Sequence, residues 1–323
     1  MSTSTSTSDS TTITNNPPEF GSIHLRIAGG LPDHTDLAPS AVFLVLYALT
    51  IPLYALAWKK NCIGRWFMIR PAVFIGMRIA FFALRLVLVK DGISEGVLIA
   101  EMVLISIGFI FLVDATIVIW EYQRDRQPEG HEHAGLLSRF LKLSRVSLIA
   151  AIATGTAAGG LTGQALSDPD TMSTVVALRK ACYILSLIVV AVMLGLHAHS
   201  VFLGHAKIGW GISCSALVYT AVLVVIAVYR LITAEESNPR AAVLSKTAFW
   251  ILQVALEWVA VVSLLLITVY AGNYYSKREF AEVDENENGN LKMEVRGRGQ
   301  GQGQEEVSPP VYSSDVGKAG SSV

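Results

Sequence analysis

The chain has 323 residues, 52% hydrophobic and only 16% charged, with a formal net charge of −1. A water-soluble domain of this length would carry more charge on its surface, so the composition excludes one. The near-neutral total hides charge gathered into loops and tails, and no nucleic-acid partner is expected.

The opening segment, MSTSTSTSDSTTITNNPP, is polar and of low complexity, without the basic and apolar regions of a cleavable signal. It predicts a disordered extracytoplasmic tail over residues 1–38, with the first apolar stretch acting as its own insertion signal. Seven apolar stretches follow, at about 41–58, 66–89, 97–120, 146–165, 175–202, 210–232 and 247–271. A helix needs roughly 20 mostly apolar residues to cross the hydrocarbon core. The stretches are too long and too evenly apolar for barrel strands. The expected fold class is therefore all-α, a seven-helix transmembrane bundle over residues 39–275. Trp58, Trp66, Trp120 and Trp210 fall at the expected water boundaries, where an amphipathic ring is favoured.

Charged side chains inside a membrane span are costly and mark function or pairing. Span two carries Arg70, Arg78 and Arg85. At about 100° per residue, Arg78 and Arg85 lie roughly 20° apart and Arg70 about 80° from Arg78, which makes one basic stripe. Span three offers Glu101 and Asp114, and span seven offers Gln253 and Glu257 on one face with Trp250. Matching depths predicts Arg70 with Asp114, Arg78 with Glu257, and Arg85 with Glu101. Such pairs either hold helices in register or line a polar path or headgroup cavity. In span four, Gly155, Gly159 and Gly163 recur every four residues, which suits close helix packing within the chain or, less simply, a homodimer face.

His197, His199 and His205 lie around the end of span five. Residues two apart point to nearly opposite helix faces, so His197 and His199 are expected as interfacial polar residues. His131, Glu132 and His133 are expected in a solvated loop, and neither a metal nor a cofactor is expected. Arg230 closes span six, where its long side chain is expected to snorkel to the interface. Cys62, Cys182 and Cys214 are not placed for an extracellular disulfide.

Lys59, Lys60, Arg65, Arg124, Arg126, Arg139, Lys142, Arg145, Lys277 and Arg278 gather on one side. By the positive-inside rule this predicts an N-terminus outside and a cytoplasmic C-terminus; a plasma-membrane setting is the expected localisation. Span seven lacks a deep Lys for a retinal Schiff base, no His-x-x-x-His lies within the membrane, and receptor-type motifs are reduced to a likeness in charge.

Gly64, Trp66, Arg78, Tyr229-Arg230, Glu257 and Gly272, in this order and spacing, resemble a family of fungal seven-span membrane proteins carrying a domain of unknown function, over about 41–275. A more distant likeness is to the fungal lipid-translocating exporter family, which shares seven spans and an outside N-terminus. Where that family is expected to carry Asp and Gln in span four, this chain has the small-residue run 149–160.

The tail 276–323 is polar and biased, ENENGN and then RGRGQGQGQEE, and is expected to be disordered and cytoplasmic. It contains Pro309-Pro310-Val311-Tyr312, a Pro-Pro-x-Tyr ligand for a WW domain, and with Lys277, Lys292 and Lys318 it suits a WW-containing ubiquitin ligase. The reading is a membrane protein and not an enzyme. It is sensor- or transporter-like, with a polar core around span two and a possible small-molecule or lipid ligand. A receptor, an exporter-like protein and a scaffold are the alternatives.

Overall fold

Residues 30, 32–91, 95–125, 134–165, 168–203, 210–236 and 242–274 are described by a computed structural model. Residues 1–29 and 31 of the N-terminal tail, all of the C-terminal tail with Pro309, Pro310 and Tyr312, His205 and the His131–His133 loop lie outside the described residues.

The helices are α1 (Leu37–Lys60), α2 (Arg65–Asp91), α3 (Glu95–Asp125), α4 (Ala134–Ala165), α5 (Pro169–Leu203), α6 (Trp210–Glu235) and α7 (Lys246–Tyr274). All seven contain stretches long and apolar enough to cross a membrane, and no strand occurs among the described residues. The chain is thus a multi-pass integral membrane protein. Its outer surface carries Val42, Leu49, Ile149, Ile188, Val218 and Leu266, as a lipid-facing surface should.

The bundle starts earlier than expected. Asp33 caps a 3₁₀ turn, His34–Asp36, that runs straight into α1. The Asp33 carboxylate accepts from the Thr35 backbone, while Asp36 accepts from the Asp33 backbone, a reciprocal cap that fixes where the chain enters. Residues 33–38 therefore belong to the bundle and not to the tail. At the other end of α1, Asn61 accepts from the Ile63 and Gly64 backbones, and Gly64 has φ 136°, which an L side chain rarely adopts. This turn reverses the chain in four residues.

Helix α3 is the most enclosed, packed against α2, α4, α5 and α6. One end of the bundle, called here the entry end, holds the starts of α1, α3, α5 and α7. At the far end Trp58, Trp66 and Trp210 are exposed, while Trp120 is buried, with Arg124 over its ring at 5.6 Å. Trp120 therefore faces its neighbouring helices and not lipid. Gly155 and Gly159 are spent on packing within the chain. A Cβ at Gly155 would sit 3.2 Å from Cys182 Sγ on α5, and one at Gly159 would sit 2.2 Å from Val103 on α3. Neighbouring helices therefore occupy the face proposed for a homodimer at these two glycines, and Gly163, one turn on, is half-buried.

Helix α7 contains a wide π turn, Phe249–Ala255. Such turns disturb the regular ladder and recur at functional sites. Here the turn carries Trp250 and Gln253, and Glu257 follows directly, all three buried.

Candidate functional site

The three arginines of α2 form the spine of a charged column. Seven and eight residues separate them, about 10–12 Å along the axis. Each meets the acid expected from its depth.

At the entry end, Arg85 Nη1 donates to Glu101 Oε1 at 2.5 Å and Nη2 to Asp36 Oδ2 at 3.1 Å. Lys246 Nζ, from the start of α7, donates to the same Asp36 oxygen at 2.9 Å and to Asp33 Oδ2 at 2.6 Å. Trp250 Nε1 donates to Asp36 Oδ1 at 3.1 Å. Asp36 is 0% exposed, which is tolerable only because four donors surround it, these three side chains and the Asp33 backbone N–H. The Arg85 guanidinium also lies over the Phe249 and Trp250 rings at 5.4 and 5.6 Å. Asp33 remains in water; the hydrogen bond from Lys246, helped by Thr35, holds its carboxyl well below the usual range.

In the middle, Glu257 is shared. Its Oε2 meets Arg78 Nη2 at 2.6 Å and its Oε1 meets Arg230 Nη2 at 2.8 Å, with all three side chains 3% exposed or less. Arg230 Nη2 also donates to the Ile105 carbonyl at 2.7 Å, a helix carbonyl with a lone pair to spare. Arg78 lies over Phe74 at 5.0 Å, and Arg230 over Phe109 at 4.6 Å. Gly108 leaves room for this: a Cβ there would stand 3.5 Å from Arg78 Cζ. Arg78 Nε and Nη1, Arg230 Nε, the Tyr47 hydroxyl and Gln253 Oε1 are buried without a hydrogen-bond partner. Tyr47 is fully buried beside Arg78 and Glu257.

At the far end, Arg70 Nε binds Asp114, and Arg70 Nη1 donates to the Trp66 carbonyl at 3.1 Å. This pair is partly exposed.

Arg230 overturns its expected snorkel to the interface, because α6 continues to Glu235 and Glu257 supplies a partner inside the bundle. His197 is buried against Thr116 and not interfacial, whereas His199 is exposed. Asp36 and Lys246 had not been picked out as members of the column. The spacing Asp33-x-x-Asp36 before an apolar run is a helix-start signal that could have found the first of them. Comparison of the chain with protein-family models, with curated proteins and with solved structures finds no match.

Proposed function

We propose that this membrane protein is sensor- or transporter-like, working through the charged column along α2. The observation that carries the reading is Glu257 held between two buried guanidiniums that keep unfilled N–H groups. A core serving only to hold helices together gains nothing from excess buried charge, which is expensive in a bilayer. The residues behind the resemblance to the fungal seven-span family also converge: Arg78, Arg230 and Glu257 form one network. A scaffold is the second reading, favoured by the closed groups around Arg85 and Arg70.

Cys182 separates the two. It is 1% exposed, one helix away from Arg230. With Cys62 and Cys214 replaced by Ser, a bundle that changes state should let a polar maleimide label Cys182 in native membranes within minutes. Labelling only after detergent unfolding would favour the scaffold.

We further propose a plasma-membrane protein with its C-terminus in the cytoplasm, where Pro309-Pro310-Val311-Tyr312 recruits a WW-domain ubiquitin ligase. The Lys and Arg asymmetry and the Pro-Pro-x-Tyr spacing support this. Protease applied to intact cells should remove an N-terminal tag and spare a C-terminal one. Tyr312→Ala should slow turnover. A C-terminal tag cleaved from outside would overturn both the topology and the ligase.

A further inference from the structure

The middle of the column carries more positive charge than Glu257 can answer. Arg179 on α5 is half-buried and makes only neutral contacts among the described residues: Nη2 lies 3.4 Å from Thr162 Oγ1 and 3.7 Å from Met102 Sδ. Arg230 docks on the Ile105 and Ser106 carbonyls. Met102 and Ser106 are successive turns of one α3 face, so both guanidiniums lie along that face. Tyr183 joins them: its ring lies 5.9 Å from Arg230 Cζ, and it sits one turn from Arg179 on α5, within its electrostatic reach. Arg78 is coupled to Arg230 across Glu257 and repelled by it.

Three guanidiniums against one carboxylate leave two positive charges. The neighbouring acids are engaged elsewhere, Glu101 by Arg85 and Glu235 by Lys180. Arg230 Nε is buried and lacks an acceptor. Forked guanidinium donors match phosphate oxygens, and a doubly charged anion would balance the excess. The half-buried Arg179 would meet the ligand first, with the buried Arg230 behind it.

We propose that Arg179 and Arg230, between α3, α5 and α6, bind a phosphate group, carried either by a free anion or by a lipid headgroup. This rests on the reading of the charge excess as functional, but it concerns binding, whereas Cys182 labelling reads motion, so either can fail alone. The full chain, in nanodiscs of neutral phosphatidylcholine, is titrated with inorganic phosphate at constant ionic strength. In parallel it is placed in nanodiscs containing phosphatidic acid, and thermal stability is read in both series. A saturable rise with free phosphate, or with phosphatidic acid, is expected and names the source. Arg179→Gln should weaken the apparent affinity roughly tenfold or more. Met102→Glu, which keeps the side chain's length and puts a carboxylate beside Arg179, should abolish the response while the protein stays folded. No saturable rise from either source, or a rise that survives both substitutions, overturns the proposal.

Discussion

Glu257→Gln should lower the folded yield sharply, because it leaves Arg78 and Arg230 buried together without an anion. Breaking a buried pair by removing one partner costs about 3–5 kcal/mol, and here one carboxylate serves two partners. Removing one guanidinium as well, by Arg78→Met, should recover part of the loss. The triple change Glu257→Met, Arg78→Met, Arg230→Met should recover more, since an apolar core of similar volume tolerates what a half-paired one does not. The measurement is a double-mutant cycle read by thermal melts and by monodisperse yield from membranes. Losses that simply add, with no rescue at either step, would mean the three residues do not act as a unit.

Gly272→Ala should be nearly as damaging, for a steric reason. A Cβ there would lie 1.9 Å from the Lys60 carbonyl oxygen and 2.9 Å from its carbon. Both atoms belong to the α1 backbone, so no rotamer change can relieve the clash. The ends of α1 and α7 would have to part, at about 1–3 kcal/mol or more. Gly76→Ala is the matched control, since nothing lies within 4 Å of its added Cβ. It should be neutral, or stabilising by about 0.5–1 kcal/mol, because it removes glycine's backbone freedom from a helix. Equal effects of the two changes would refute the close approach.

The spans and three of the four acid partners of α2 were legible because membrane helices impose two simple rules. Apolar length sets the number of crossings, and position along a crossing sets depth, so opposite charges at equal depth find each other. Arg230 was misread because the apolar run stops before the helix does, which put a buried residue at an apparent boundary. Asp36 was missed because it lies just ahead of the first apolar run, and its burial depends on partners far away in sequence. The π turn leaves no mark in a hydropathy pattern. Only three-dimensional packing reveals it.

Asp36 also sets an order for assembly. Its partners Lys246 and Trp250 lie 210 and 214 residues downstream. Contacts this distant in sequence form late, because the intervening chain must first be arranged. The first helix therefore enters the membrane with its opening turn unfinished, and the last helix completes it. No shorter chain ending before Lys246 can bury that carboxylate among these donors. The entry end is thus a clasp that stays open until the start of the last helix reaches it.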